Sequence, residues 1–338
     1  MNDRFLRACR REPVDVTPVW FMRQAGRALP EYREIRKRAS LADIVADADL
    51  CAEVSLQPVT RLGVDACIVF ADITTPLPGV GIPVALQEGV GPIIDPPIRN
   101  TRDVQRLGVF DPDASVGGLL GAISTLAATS PVPVIGFAGA PFTLAAYLVE
   151  GRSPRGLETT KTFMRSEPAA WDELLGRIVD MDLAYLTAQV HAGASVVQLF
   201  DSWVGALSPF DYRAHVLPHV RRLFEGLRAL AVPTIHFGTG TAGLLEAMAE
   251  AGGDVIGLDW RVDLASAWCR LPERAVQGNL DPDVLLGPWA DVEGQARHVL
   301  AGAAGRPGHV FNLGHGVLPA TDPAVLARLV RLVHGDEG

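Results

Sequence analysis

Eight times between residues 18 and 312, a short apolar run rich in β-branched side chains is followed by a longer stretch with helical spacing. The runs fall at 18–22, 66–70, 132–137, 196–200, 232–237, 254–258, 275–277 and 309–312. Such short, uniformly apolar runs suit parallel strands covered on both faces, since a strand with one wet face alternates instead. Ser166 with Pro168 opens one of the intervening helices, whose apolar face is Trp171, Leu174, Leu175, Ile178, Met181, Tyr185 and Leu186. Asp322-Pro323 opens the last helix, carrying Val325, Leu326, Leu329, Val330 and Val333. The pattern leaves a closed (β/α)8 barrel or a doubly wound open sheet. Polar, charged and glycine residues follow nearly every run rather than one switch point, as FMRQAGR, FADIT, GFAGAP, LFDS, FGTG, LDW, GNLD and NLGHG. A barrel gathers its chemistry at the C-terminal ends of all its strands, so the reading is a single (β/α)8 barrel over residues 1–338. A barrel fills ~250 residues or more as one domain, and no low-complexity linker interrupts the chain.

Ala114 to Val149 contains no charged residue. Pro131, Pro133 and Pro141 break it before it reaches the ~20 apolar residues of a membrane span, so it reads as a buried helix, strand and helix. The first residues lack the apolar core of a signal peptide, and a cytoplasmic protein without a membrane segment is expected. Cys9, Cys51, Cys67 and Cys269 form no CxxC pair and have no histidine at zinc-ligand spacing, which argues against a disulfide scaffold and a CxxC-type zinc site.

Thirty Lys and Arg against 39 Asp and Glu give a net charge of −9, a poor balance for binding nucleic acid. Residues 1–38 nevertheless hold ten basic and five acidic side chains, so this segment is +5 and the remaining 300 residues are −14. A basic start on an acidic body suggests an anion site, or simply a solvated helix face.

Four segments carry candidate chemistry. Arg23 and Arg27 flank Gln24, Ala25 and Gly26 directly after the first run, with Arg36 further on; two guanidinium forks there suit a carboxylate or phosphate, while surface ion pairing is the plainer alternative. Asp72 closes an apolar run, where a partly desolvated carboxylate must accept hydrogen bonds or face a cation, unless it caps a turn. The small residues of GFAGAPFT, followed by Tyr147, leave room for a flat ligand or for close strand–helix packing. Ser202 and His315 lie behind two further runs, with no GxSxG elbow to support a hydrolase. The GxGxxG match at 238–243, with Asp259 beyond it, follows the fifth run and is explained equally by a glycine-rich barrel turn.

Taken together these segments resemble the uroporphyrinogen decarboxylase family. PVWFMRQAGRALPEYREIR at 18–36 and GFAGAPFTLAAYLVEG at 136–151 look like its two signature stretches, and FADIT, QLFDSW, GNLDP and NLGHG follow in family order. The resemblance covers nearly the whole chain. It implies a (β/α)8 barrel, a homodimer with facing clefts, no metal and no prosthetic group. The implied reaction turns the four acetates of uroporphyrinogen III into methyls, giving coproporphyrinogen III and four carbon dioxide molecules. It assigns Arg23, Gln24, Ala25, Gly26, Arg27 and Arg36 to substrate binding, Asp72 to the centre of the macrocycle, and Tyr147, Ser202 and His315 to its side chains. On this reading Asp72 and Arg23 are the catalytic pair.

The residue types suit that chemistry. The substrate carries eight carboxylates round four inward-facing pyrrole NH groups, so arginines at the rim and one central carboxylate complement it. Two other readings stay open at this point. Zinc methyltransferases of the same superfamily resemble these enzymes in fold, though Cys269 has no histidine nearby and His315 no companion cysteine. A tetrapyrrole carrier would need the arginines but not Asp72.

Overall fold

A computed structural model of the chain describes residues 2–87 and 90–336. Seven of the eight apolar runs hold strands and a hairpin is added between the first two of these: β1 (Cys67–Ile68), then β2 (Val84–Gln87) and β3 (Gly91–Ile94), β4 (Val134–Gly139), β5 (Val196–Asp201), β6 (Thr234–Gly238), β7 (Val255–Gly257), β8 (Ala275–Gln277) and β9 (His309–Val310). Seven of them form one sheet in the order β1-β4-β5-β6-β7-β8-β9. Every pairing in it is parallel, with Cys67 opposite Val134, Val197 opposite Thr234, Val255 opposite Ala275 and Val276 opposite His309. Parallel neighbours need crossovers, and the helices between the runs supply them. β2 and β3 pair antiparallel as a hairpin that the eight-run pattern did not include.

The first expected strand, 18–22, is a single parallel bridge from Val19 to Phe311. Pro18 has no N–H to give, and the chain turns at once, with Gln24 N donating to Phe21 O and Arg23 at φ 59°. The segment still occupies the space beside β9 and β1. Trp20 N donates to Phe311 O, Phe311 N to Pro18 O, and Asp65 N to Val19 O. The sheet itself is curled: buried Trp20 donates from Nε1 to Gln277 on β8 at 3.0 Å, and Gln277 Nε2 reaches Gln198 on β5 at 3.2 Å. Two strands lie between β5 and β8, so these side chains meet only because the sheet bends round on itself.

The helix Pro168–His191 buries Trp171, Leu174, Leu175, Ile178, Met181, Tyr185 and Leu186 as its spacing requires. Its N-cap is Glu167, without a side-chain cap bond; Ser166 instead ends the preceding helix Glu158–Ser166, because Pro168 at N1 already lacks the donor a cap would satisfy. The last helix, Pro323–His334, starts where expected, with the Asp322 carboxylate accepting from Ala324 N at 2.8 Å. The uncharged stretch forms the helix Pro112–Thr129, β4 and the helix Pro141–Glu150, in which Pro141 to Val149 are all buried. Among the described residues no helix is long and apolar enough to cross a membrane.

Away from the strand C-termini, Asp65 ties both ends of the chain to the first crossover. Its 2% exposed carboxylate accepts from Val19 N at 2.8 Å, Asn2 Nδ2 at 3.1 Å and Arg4 Nη1 at 3.1 Å, and meets His334 Nε2 at 2.7 Å. Cys9, Cys51 and Cys67 are buried free thiols, while Cys269 is free and exposed. Burial raises the Cys51 and Cys67 thiols to about 12, so they act as packing groups donating to Phe70 O and Ser55 O.

His309 on β9 gives the fold a pH limit. Its Nε2 lies 2.9 Å from Gly278 O, and burial lowers its pKa from 6.5 to about 4. Between those values the unfolded chain binds a proton that the folded chain refuses, so stability falls as pH drops through this window. The full shift is worth about 3 kcal/mol. Denaturant midpoints measured from pH 7 to 4 should therefore fall, and His309→Gln should flatten part of that slope.

Candidate active site

Asp72, Ser202 and His315 lie in the turns that follow strands, Arg23 and Arg27 in the turn after the Val19 bridge, and Tyr147 and Arg36 in helices. Asp72 comes four residues after β1. One carboxylate oxygen, Oδ1, accepts from Thr74 N at 2.9 Å and Thr74 Oγ1 at 2.5 Å, while Asp72 N donates to Thr75 Oγ1 at 3.1 Å. Asp72 thus caps a turn with one oxygen. Among the described residues Oδ2 accepts no hydrogen bond, and the side chain is only half-buried. The group is held rigidly while one oxygen stays available.

Arg23 is exposed and sits in the left-handed region, which a non-glycine residue occupies only when its surroundings hold it there. Two buried amides do so. Gln24 Oε1 accepts from Phe21 N at 3.0 Å and its Nε2 donates to Ala66 O at 2.9 Å. Asn312 Oδ1 accepts from Met22 N at 3.1 Å and Leu313 N at 2.8 Å. Gln24 is fully buried with both amide atoms engaged, so what it can supply to a ligand is the placement of Arg23. Ala25 is buried and Gly26 half-buried; a Cβ at Gly26 would meet only Arg23 O at 3.4 Å, so the glycine is not required by crowding there.

His315, on the loop beyond β9, faces Arg23. A Cβ on the adjacent Gly316 would fall 2.5 Å from Arg23 Cδ, so the missing side chain lets the guanidinium stem lie against this loop. Gly314 is confined on the other side, where a Cβ would sit 2.2 Å from Trp260 N. The Trp260 and His315 rings meet edge-on at 6.1 Å. Burial first, then the charges of Arg23 and Arg261, lower the His315 pKa to about 4, with Asp259 opposing. At neutral pH the ring is uncharged, able to donate from one nitrogen and accept at the other.

Tyr147 lies in the helix after β4, its ring edge-on to Trp203 at 6.2 Å. Burial raises its phenol, Ser153 and Trp203 beside it oppose the rise, the Asp72 carboxylate adds to it and Arg23 reduces it. Asp72, Arg23, Tyr147 and His315 therefore share one electrostatic neighbourhood. Ser202 immediately follows β5, and its carbonyl accepts from Thr239 Oγ1 at 2.5 Å.

Arg27 is exposed, its carbonyl taken by Arg33 Nη1 at 2.9 Å. Arg36 closes the helix Pro30–Arg36 and donates to Ala39 O at 2.6 Å, a bond within its own turn. The basic N-terminal segment is not one patch. Arg4 binds Asp65, and Arg10 and Arg11 line a separate 410 Å³ cleft with Thr234, Asp254 and Arg274 near the starts of β6, β7 and β8. The segment runs from one end of the strands to the other, so its charges divide between the two ends.

Sequence reasoning missed the supports. Asp201, next to Ser202, is fully buried; its Oδ1 accepts from Thr143 Oγ1 at 2.9 Å, and its Oδ2 lies 3.6 Å from Nε2 of equally buried His236. Thr143 in turn accepts from Trp203 N at 3.2 Å. The adjacency of Asp201 to Ser202 was the only sequence signal. Asp259, considered for a ribose, is 1% exposed and spends its carboxylate on Gly240 N, Arg261 N and the Arg261 guanidinium, so the GxGxxG segment is tied to the next loop instead. Among the described residues no three His, Cys, Asp or Glu side chains group as a metal site would require.

Comparison with known proteins adds a fold likeness and a family. The fold matches a solved methyltransferase from Methanosarcina mazei with a TM-score of 0.84 over 100% of this chain and 99% of that one; at 19% identity the likeness is one of fold alone. By sequence the chain is 53% identical over 337 residues to uroporphyrinogen decarboxylase of Sorangium cellulosum, covering 99% of this chain and 96% of the relative. It is 54% identical to the Streptomyces coelicolor protein of the same name, with 98% and 94% covered. The family described as Uroporphyrinogen decarboxylase (URO-D) matches residues 1–335. A carboxylate with one open oxygen, an arginine held beside a neutral histidine, and sequence identity along the full chain lead to one conclusion: the chain belongs to the uroporphyrinogen decarboxylase family.

Proposed function

We propose that this chain removes carbon dioxide from the four acetate side chains of uroporphyrinogen III, leaving methyls and giving coproporphyrinogen III. The observation that carries the reading is the shared site of Asp72, Arg23, Tyr147 and His315 within a chain of this family. Asp72 Oδ2 accepts from the converging pyrrole NH groups, while Oδ1 stays bound to Thr74. Direct loss of carbon dioxide from an acetate would strand a carbanion. Protonation of the neighbouring pyrrole α-carbon makes a cationic ring that receives the electron pair when the carbon–carboxylate bond breaks; the exocyclic methylene left behind then takes a proton to become the methyl, and the proton added at the α-carbon leaves. The fixed Asp72 carboxylate stabilises that cation without reorganising.

Arg23 pairs with the reacting carboxylate. A free guanidinium, with a pKa above about 12, is a poor acid, so its part in proton delivery is to orient the donor that carries a solvent proton. Arg27, Arg36, Tyr147, Ser202 and His315 hold the remaining carboxylates and bring each acetate to the same place in turn. Gln24, Ala25 and Gly26 shape the turn that presents the two arginines, and no metal or prosthetic group takes part.

The enzyme is read as one (β/α)8 barrel over residues 1–338. The bridge at Val19, between β9 and the residue leading into β1, supports the eighth strand position. A cytoplasmic homodimer with facing clefts completes the reading, supported by family resemblance.

The test is anaerobic incubation of chelator-treated protein with uroporphyrinogen III, followed by oxidation and chromatography of the porphyrins. Seven-, six-, five- and four-carboxylate products are expected. Unchanged substrate from folded protein would overturn the proposal.

A further inference from the structure

The positive charge around His315 is not all supplied by the N-terminal segment. Arg261, on the loop after β7, comes from the acidic body of the chain. Its guanidinium is fixed on two sides: Nη1 donates to Asp259 at 2.9 Å, and the plane stacks 3.8 Å from the centroid of the Trp260 ring. Asp259 is itself immobilised, since it also accepts from Gly240 N and Arg261 N and is almost wholly buried. Trp260 meets His315, and Gly314 lies flush on the Trp260 backbone. Arg261 is therefore built rigidly onto the loop that carries His315.

Only part of the fork is spent. A guanidinium has five N–H donors. Asp259 takes one, and the side chain is still 53% exposed. Arg23 lies against the same loop at Gly316. Two guanidiniums and one buried carboxylate thus leave His315 in a net positive field. Burial is the main reason His315 is neutral; the positive charges beside it add to that and also attract an anion, and a guanidinium already braced by Asp259 and Trp260 loses less entropy on gripping one.

We propose that Arg261, stacked on Trp260 and braced by Asp259, is a substrate-binding residue that grips a carboxylate of the tetrapyrrole other than the acetate being lost. The inference rests on the functional reading above. A grip on a spectator carboxylate contributes equally to the bound ground state and the transition state, so it governs KM and leaves kcat in place.

Arg261→Gln should raise KM for uroporphyrinogen III about tenfold and keep kcat within about twofold, with Arg261→Lys between, because a point charge replaces neither the fork nor the stack. Since Arg261→Gln strands the buried Asp259 carboxylate, the double variant Asp259→Asn/Arg261→Gln provides a neutral background and should show the same rise. Binding of oxidised uroporphyrin, which carries eight carboxylates and does not turn over, should weaken about tenfold in both variants. Unchanged KM and unchanged porphyrin affinity in a folded variant would overturn the assignment, as would a loss confined to kcat. A wild-type protein that binds porphyrin through Arg261 but forms no product would overturn the functional reading and leave the carboxylate grip standing.

Discussion

Asp72→Asn is expected to keep the fold and cut turnover by a factor of about 10²–10³. Opposite charges ~4 Å apart at an effective dielectric of ~20 interact by about 4 kcal/mol, and each ~1.4 kcal/mol changes a rate tenfold. Asparagine is the right replacement because its own Oδ1 can keep both bonds to Thr74, at 2.9 and 2.5 Å, so the turn survives. What goes is the charge opposite the ring cation, together with an acceptor-only oxygen facing the pyrrole NH groups. Single-turnover rates with uroporphyrinogen III, beside a thermal melt of the same sample, provide the check. Near-normal turnover in a folded variant would remove Asp72 from the mechanism. Equal loss of melting temperature and activity would make it a turn residue alone.

The second large effect lies away from the chemistry. Asp65→Ala should destabilise the protein by about 3–5 kcal/mol, the usual cost of removing one partner from a buried charged pair. The alanine leaves Val19 N unpaired and releases Arg4, Asn2 and His334 at once. At ~2–4 °C per kcal/mol for a large domain, the melting temperature should fall by about 6–20 °C. Asp15 supplies the control: it also pairs with Arg4, at 2.5 Å, but is 61% exposed, and Asp15→Ala should cost less than about 1 kcal/mol. Equal effects from the two variants would show that Asp65 holds the chain termini no more firmly than a surface ion pair does.

The strands and the helix faces were legible because burial writes a local signature. A strand covered on both faces is apolar at most positions, and a helix on such a sheet is apolar every third or fourth residue. Hence 196–200 and 275–277 lie where the pattern puts them, and Trp171 through Leu186 form the buried face of one helix. The run at 18–22 carried the same signature yet forms one bridge, because apolarity reports burial and not hydrogen bonding, and Pro18 and the Arg23 turn limit the ladder. The β2–β3 hairpin carried no such signature, since β2 is mostly exposed.

For the site, the sequence by itself determined which residue types stand behind which strand: Arg23 and Arg27, Asp72, Tyr147, Ser202 and His315 all follow apolar runs, and their order matches one family. The tertiary structure decided which of them act together. It brought Arg23 and Arg261 near His315 and divided the basic N-terminal segment between two ends of the molecule. It also supplied the buried supports at Asn312, Asp259 and Asp201, whose partners lie on other strands or the loops beyond them. Charge and hydrogen bonding act through space over a few ångströms, whereas sequence records neighbours along the chain, and the curl of the sheet is what brings distant strand ends within that reach.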